Sequence, residues 1–196
     1  MTLVLASASP RRHDLLKQAG IPHRIQPADI DETPIEDELP LALSVRLARE
    51  KALTVAKRIG GEPRQRVLGS DTIVVLDDDA IGKPTDAEDA VRLLQRLVGR
   101  THTVVTAVAV VDSASLEVWD VAVESRVTLR EASEDEIRRY VATGEPLDKA
   151  GAYAIQGEGS WLVTGLEGSR SNVIGLPLEE TRALLVRAGH EVPEAR

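Results

Sequence analysis

The chain has 196 residues, of which 42% are hydrophobic and 29% are charged, and its formal net charge is −8 at pH 7. These values are typical of a globular protein, and we expect a single domain over residues 1–196. The negative charge disfavours binding to a nucleic acid backbone, and the absence of cysteine excludes disulfides, thiolate metal sites and cysteine nucleophiles.

The sequence carries no pattern typical of targeting or membrane insertion. Arg11 and Arg12 follow the first apolar run after only a few residues, which is not the pattern of a signal peptide. No apolar run approaches the ~18–20 residues that a membrane span requires. We therefore expect a cytoplasmic protein without a membrane anchor, and the lack of cysteine fits a reducing compartment.

The first dozen residues predict a strand, a turn of small residues and a helix. Residues 3–6 form a short apolar run, Ser9 offers an N-terminal cap, and Pro10 suits the first helical position. Free backbone N–H groups at the start of such a helix suit an anion, especially a phosphate. Arg11 and Arg12 favour that interpretation, because cations in the first turn otherwise oppose the helix dipole. An ordinary capped helix with two solvated arginines explains the stretch equally well.

Residues 41–59 carry the longest helical pattern. Its apolar side chains follow 3-4-3-4 spacing, and they are Val45, Ala48, Ala52, Val55 and Ile59. Lys51 lies about 70° from the centre of this stripe, at ~100° per residue. The pattern therefore predicts that the Lys51 stem packs at the border of the buried face, from which the ammonium can reach a neighbouring cleft.

Asp71 lies within the otherwise apolar segment 67–76, which predicts an acid inside or beside a sheet. A carboxylate there is costly unless it is paired, hydrogen-bonded or bound to a metal, so we favour a functional role for Asp71. The acidic run 77–79 predicts a hairpin turn rather than a metal cluster. Lys83 precedes a helix start with the capping-box pattern of Thr85 and Glu88, which suits a phosphate, although a surface lysine fits as well.

The remaining pattern predicts an α/β protein with a mixed twisted sheet flanked by helices. Residues 103–111 are typical of a central strand, and residues 121–129 are typical of a strand with one solvent-exposed face. Ser133 and Glu136 predict another capped helix, and Pro177 opens the last one. Strict alternation of strands and helices fails, which excludes a purely parallel sheet.

The motifs of several enzyme classes are missing. There is no nucleophile elbow, zincin motif or Walker loop, and Gly157 and Gly159 lack the third glycine of a dinucleotide fingerprint. What remains is a set of cations suited to phosphate and a few placed acids: Arg11, Arg12, Lys51, Lys83, Glu32 and Asp71. This inventory suits metal-assisted attack of water on a phosphate ester or anhydride.

Seven blocks of the sequence occur in the order expected of one family. They are Ser7-Ala8-Ser9-Pro10-Arg11-Arg12, Asp31-Glu32, Arg49-Glu50-Lys51-Ala52, Gly69-Ser70-Asp71-Thr72, Gly82-Lys83-Pro84, the stretch from Asp148 to Gly157, and Gly168-Ser169-x-Ser171-Asn172-Val173. On these blocks the chain resembles the Maf family of nucleoside triphosphate pyrophosphatases, also called septum-formation inhibitors. The resemblance extends over nearly the whole chain, as a single Maf-like domain.

The resemblance implies hydrolysis of a nucleoside triphosphate to the monophosphate and pyrophosphate with a divalent metal, Mg²⁺ or Mn²⁺. It also implies a fold similar to inosine triphosphatase, with two lobes around a central cleft, and a homodimer. The loop that ends in Gln156 resembles the branch that acts on dTTP and UTP. An amide presents both a donor and an acceptor, which can match the O4 and N3–H edge of uracil or thymine.

The resemblance also implies the roles of individual residues. Asp71 would be the general base or orient the water, Glu32 would help to hold the metal or the water, and both acids are candidate metal ligands. Lys51 would act at the reacting phosphate. The other implied substrate-binding residues are Ser7, Arg11, Arg12, Lys83, Thr72 and Gln156. Ser70 stands where alanine is common in the family, a difference that we interpret as structural.

Two alternative functions remain at this point. The protein could be a nucleotide-binding regulator of cell division that uses the same residues without turnover. It could also be a pyrophosphatase for another base, including a modified pyrimidine. The presence of Lys51, Glu32 and Asp71 together favours an enzyme, because binding a polyanion alone does not require acids beside it.

Overall fold

The computed structural model describes residues 2–61 and 63–193. The strands are β1 (Leu3–Leu5), β2 (His23–Ile25), β3 (Arg66–Leu76), β4 (Asp79–Ile81), β5 (Thr101–Asp112), β6 (Val118–Leu129) and β7 (Val163–Glu167). The helices are α1 (Pro10–Gln18), α2 (Pro40–Ile59), α3 (Ala87–Leu97), α4 (Glu134–Val141), α5 (Arg170–Ile174) and α6 (Leu178–Arg187). Short 3-10 turns at Glu145–Asp148, Ala150–Ala152 and Gly157–Leu162 lie between α4 and β7.

The strands form one mixed sheet, as the sequence predicts. Within the described ranges the order is β2-β1-β3-β5-β6-β7, and β4 pairs with β3. β1 is parallel to both β2 and β3, whereas the β3–β4 and β6–β7 pairs are antiparallel. Asp77 and Asp78 both have positive φ, of 52° and 68°, which is the backbone of a tight hairpin turn. The predicted turn over residues 77–79 and the predicted central strand, β5, are therefore confirmed.

The chain divides into two compact units. Unit 1 comprises Met1–Asp71, Thr106–Val123 and Gly175–Arg196, and unit 2 comprises Thr72–Val105 and Glu124–Ile174. In unit 1, alanine and valine side chains of α2 pack against β1, β3 and β5. In unit 2, the apolar faces of α3 and α4 pack on side chains of β3, β5 and β6. The expectations of one domain over the whole chain and of a central cleft stay predictions.

The local signals place the helix starts to within one residue, but not every cap has the predicted hydrogen bond. Ser9 occupies the N-cap of α1, yet its side chain makes no capping hydrogen bond. The Ser9 N–H instead donates to Ser7 Oγ at 3.2 Å. The cap of α3 is Asp86, one residue after the predicted Thr85, because the Asp86 carboxylate reaches Asp89 N–H. The capping box of Ser133 and Glu136 at α4 is confirmed.

Two elements in the glycine-rich part of unit 2 were not predicted, β7 and α5. Both are five residues long, and glycine interrupts the pattern of β7. The start of α5 is held by a residue that is distant in the sequence: Ser169 N–H, just before the helix, donates to Ser125 Oγ at 3.0 Å, and Asn172 Nδ2, within it, donates to the same oxygen at 2.9 Å. Asn172 Nδ2 also donates to Val104 O at 3.1 Å. The Gly168–Asn172 block therefore has a structural role in unit 2.

None of the helices in the described ranges is long and apolar enough to cross a membrane.

His102 is a buried titratable group of unit 2, outside the predicted site. Its side chain contacts Tyr153 Oη through Nε2 at 2.8 Å, and the residue is 3% exposed. Burial lowers the pKa of His102 from 6.5 to about 4. Between those two pH values the unfolded chain binds a proton that the folded protein does not, so stability falls as the pH falls.

We therefore expect His102 to reduce the free energy of unfolding by up to about 3 kcal/mol as the pH falls from about 6.5 to about 4. Urea unfolding at several pH values measures this loss. His102→Gln is expected to flatten the curve over that window, because other titrating groups contribute equally to both proteins. Equal slopes in the two proteins would contradict the assignment.

Candidate active site

The site in unit 1 begins with the close packing of α2 on β3. A Cβ atom placed on Gly69 would lie 2.3 Å from Ala48 O and 2.8 Å from Ala52 N. Such distances are shorter than any tolerated contact, so the absence of a side chain at Gly69 lets the helix backbone reach the strand. Side chains two residues apart on a strand point to the same face, so Asp71 faces α2 as well.

Lys51 on α2 meets Asp71 at this contact. The distance from Lys51 Nζ to Asp71 Oδ1 is 2.7 Å, and the two residues are only 8% and 7% exposed. Lys51 Nζ also lies 2.7 Å from Glu32 Oε1, whose side chain is half exposed. A buried charge is tolerated when it is paired and hydrogen-bonded, as here. One ammonium thus holds two carboxylates that are far apart in the sequence.

Lys51 lies further inside the helix interface than the sequence predicts. The predicted stripe places it at the border, whereas the buried face of α2 also includes Leu43 and Leu47. At ~100° per residue these leucines move the centre of the buried face toward Lys51. The prediction that Lys51 lies at the border is therefore wrong, because the buried face of α2 is wider than the predicted apolar stripe.

The start of α1 contributes Ser7 and Arg12 to the same unit. Arg12 Nη1 donates to Ser7 Oγ at 3.1 Å, and Arg12 Nε donates to Gly175 O at 2.8 Å. Ser7 Oγ also accepts from Ser9 N–H, so both of its lone pairs are engaged. Its O–H remains the group with which Ser7 can donate to a further acceptor.

Arg12 lies in the electrostatic field of the two acids. Burial lowers the pKa of Arg12 and the charge of Asp71 opposes the shift, while Arg11 adds to the lowering and Glu32 opposes it. An arginine keeps its charge in a protein even so. Unit 1 therefore brings the predicted residues Arg11, Arg12, Glu32 and Asp71 into one electrostatic cluster, with Lys51 between the acids.

The sequence interpretation missed the role of the Gly175 carbonyl. Ser70 is fully buried, and its hydroxyl donates to Gly175 O at 3.2 Å, the same oxygen that accepts from Arg12. Ser70 thus ties β3 to the segment that orients Arg12, which supports its structural interpretation. No local pattern could reveal this contact, because Gly175 is 105 residues from Ser70 and 163 residues from Arg12.

The other three predicted residues belong to unit 2. Thr72 is half-buried on β3, while Lys83 and Gln156 are exposed. Gly82 O, next to Lys83, accepts from Gly151 N–H at 3.0 Å, which fastens the Lys83 segment to the second 3-10 turn. The side chains of Lys83 and Gln156 are therefore accessible from solvent.

The acids of unit 1 bear on whether the protein can hold a divalent metal. No group of three or more His, Cys, Asp or Glu side chains that could hold a metal ion occurs among the described residues. Glu32 and Asp71 nevertheless present hard oxygen donors to one cationic group, Lys51 Nζ. Mg²⁺ is commonly held by one or two carboxylates together with waters and substrate phosphates. The two acids therefore fit a metal that binds with a polyphosphate.

Comparison with known proteins decides the family. A family model described as "Maf-like protein" matches residues 2–188. The chain belongs to the Maf family. A Maf relative from Myxococcus xanthus, named dTTP/UTP pyrophosphatase, is 54% identical over 191 residues, covering 97% of this chain and 94% of the relative. A second relative with the same name, from Shewanella denitrificans, is 50% identical over 194 residues, covering 94% of this chain and 95% of the relative.

Among solved structures, the Maf chain aligns with a nucleoside-triphosphatase, dITP/XTP pyrophosphatase, from Mycobacterium abscessus. The alignment covers 96% of this chain and 98% of the other, at 14% identity and a TM-score of 0.44.

Proposed function

We propose that this Maf protein is a nucleoside triphosphate pyrophosphatase that hydrolyses dTTP and UTP to the monophosphate and pyrophosphate. The observation that carries the reaction is a buried carboxylate, Asp71, held by Lys51 within reach of the charge of Arg12. The choice of dTTP and UTP is supported by relatives of that name at 54% and 50% identity over nearly their full length.

The triphosphate is proposed to bind to the cations of unit 1, and Lys83 is proposed as a substrate-binding residue on the family resemblance alone. Arg12 is pre-oriented by Ser7 and Gly175, so little conformational freedom is lost when it engages a phosphate. The Ser7 hydroxyl donates to a phosphate oxygen, because both of its lone pairs already accept protein hydrogen bonds. Arg11 and Lys51 add positive charge that offsets the charge of the reacting phosphate.

Asp71 is proposed to act on the water. Its carboxylate accepts a proton from a water molecule while the water oxygen forms a bond to the α-phosphorus. The bond between the α-phosphorus and the oxygen bridging to the β-phosphate breaks, and its electron pair leaves with pyrophosphate. The hydrogen bond from Lys51 fixes the direction of the Asp71 carboxylate.

Glu32 and Asp71 are the residues proposed to hold Mg²⁺ or Mn²⁺ together with substrate phosphates. When bound, the metal neutralises negative charge on the phosphate oxygens. Because Glu32 is half exposed, its carboxylate can exchange Lys51 for another cation at little cost in buried surface.

Thr72 and Gln156 are proposed to select the base. The Gln156 amide offers one donor and one acceptor, the complement of the O4 and N3–H edge of uracil or thymine. A pocket of this kind rejects a base that leaves the polar groups of the pocket without hydrogen-bond partners. On the family resemblance and the cysteine-free composition we further propose a cytoplasmic homodimer.

The function is tested by release of pyrophosphate from a panel of triphosphates with Mg²⁺ or Mn²⁺. The panel contains dTTP, UTP, CTP, dATP, GTP and 7-methyl-GTP, and orthophosphate is measured in parallel. We expect pyrophosphate, and no orthophosphate, from dTTP and UTP. Turnover concentrated on 7-methyl-GTP or CTP would overturn the role of Gln156. Tight nucleotide binding without any turnover would favour the regulator of cell division.

A further inference from the structure

The segment that carries Gln156 is restrained on both sides. Before it, Ala154 N–H donates to Tyr140 Oη at 3.1 Å, and Ile155 O accepts from Arg170 Nη2 at 3.3 Å. Ala154 and Ile155 are buried, whereas Gln156 is exposed and its backbone is extended. An exposed side chain on a restrained backbone is the arrangement expected of a group that must be presented to a ligand.

The restraint after Gln156 comes from one carboxylate, that of Glu145. Its Oε1 accepts from Glu158 N–H at 3.0 Å, and its Oε2 accepts from Gly159 N–H at 2.8 Å. Oε2 also accepts from the Tyr140 hydroxyl at 2.7 Å. These bonds hold the pKa of Glu145 below its usual range in spite of burial, so the carboxylate is ionised and acts only as an acceptor.

Gly157 and Gly159 allow the backbone that follows Gln156 to lie directly against the side chains of Glu145 and Tyr140. A Cβ atom on Gly157 would lie 2.2 Å from Glu145 Oε1, and Gly157 has a φ of +78°. A Cβ atom on Gly159 would lie 2.2 Å from Tyr140 Oη. The two glycines that suggest an incomplete dinucleotide fingerprint in the sequence are thus explained by contact with Glu145 and Tyr140.

We propose that Glu145, together with Tyr140, is a positioning residue for Gln156 and thereby sets the choice of pyrimidine base. The inference rests on the proposed function, because it assigns base recognition to Gln156. In this proposal Glu145 acts through Gln156: its carboxylate holds the backbone that follows Gln156, while its partner Tyr140 holds the backbone that precedes Gln156. The angle at which the Gln156 amide meets the base follows from these two anchors.

Glu145→Gln tests the proposal, because glutamine keeps the shape but replaces one acceptor oxygen by an NH₂ donor. Tyr140→Phe is the second variant, and Glu134→Gln is the matched control, since Glu134 is an exposed acid paired with Arg138 on α4. Hydrogen exchange of the peptide that spans residues 154–159 is compared with hydrolysis of dTTP, UTP and CTP. Glu145→Gln is also combined with Gln156→Ala in a double variant.

In Glu145→Gln we expect about tenfold faster exchange of the amides of Glu158 and Gly159, the factor equivalent to about 1.4 kcal/mol. We expect KM for dTTP to rise about tenfold with kcat within about twofold, and the preference for dTTP over CTP to narrow. When Gln156 is already alanine, Glu145→Gln is expected to cause no further change in the preference for dTTP over CTP. Tyr140→Phe shows the same changes to a smaller degree, and Glu134→Gln shows none.

Unchanged selectivity in Glu145→Gln, with normal dTTP hydrolysis by the wild type, would overturn this inference alone. Equal losses of kcat on every substrate would show that Glu145 has only a structural role, and would also overturn the inference. A wild type that does not hydrolyse dTTP would instead contradict the proposed function, and the exchange data would still report on the restraint of the segment.

Discussion

Asp71→Asn is expected to lower the turnover of dTTP by about a thousandfold, within the range found when a general base is lost. Asparagine keeps the size of the side chain and still accepts the hydrogen bond from Lys51, but it cannot take a proton from water. The ammonium of Lys51 keeps Glu32 as a partner, so the fold should survive. Initial rates of pyrophosphate release at saturating dTTP measure the effect.

Asp79→Asn is the matched control for this substitution. Asp79 is an exposed acid at the start of β4 and pairs with Arg96 at the surface. Its replacement should leave turnover unchanged, because an exposed ion pair contributes little. If a correctly folded Asp71→Asn protein retained turnover close to that of the wild type, Asp71 could not be the general base.

Gly69→Ala is expected to destabilise the protein by about 3 kcal/mol, at the upper end of the usual cost of overpacking. The new methyl group would meet the backbone of α2 at Ala48 O and Ala52 N, neither of which is a flexible side-chain end. Relief requires α2 to move away from β3, which would also draw Lys51 away from Asp71. Urea unfolding measures the loss of stability, and pyrophosphate release reports the separation of the pair.

Gly82→Ala separates this steric cost from the general effect of replacing a glycine. A Cβ atom on Gly82 meets no heavy atom within 4 Å. The free energy of unfolding of Gly82→Ala should therefore stay within about 0.5 kcal/mol of the wild-type value. If the two variants unfolded at the same urea concentration, the close contact at Gly69 would have no energetic consequence.

The parts of the fold that could be predicted are those determined by neighbouring residues. The capping box at Ser133 and the hairpin turn after β3 depend on residues a few positions apart, and both are confirmed. The strand β7 and the helix α5 depend on distant partners, such as the bond from Asn172 to Val104 O. A short segment that includes glycine has no local signal strong enough to predict them.

The same distinction applies to the candidate site. Asp71 and Lys51 could each be selected from the sequence, because an acid or a lysine in an apolar pattern requires an explanation. Their direct contact could not, since it depends on how closely α2 packs on β3 at Gly69. The orientation of Arg12 by Gly175 O could not be predicted either, because Gly175 is far from Arg12 in the sequence.

The path of the chain through the two units restricts how the protein can be divided. The chain passes from one unit to the other within β3, within β5, within β6 and again after α5. Unit 1 therefore needs three separate stretches of sequence and unit 2 needs two, so a single truncation yields neither of them whole. Gene fragments, fusions and exchanges between relatives must be planned around the whole chain, and a stop codon before α6 removes part of the unit that contains Asp71.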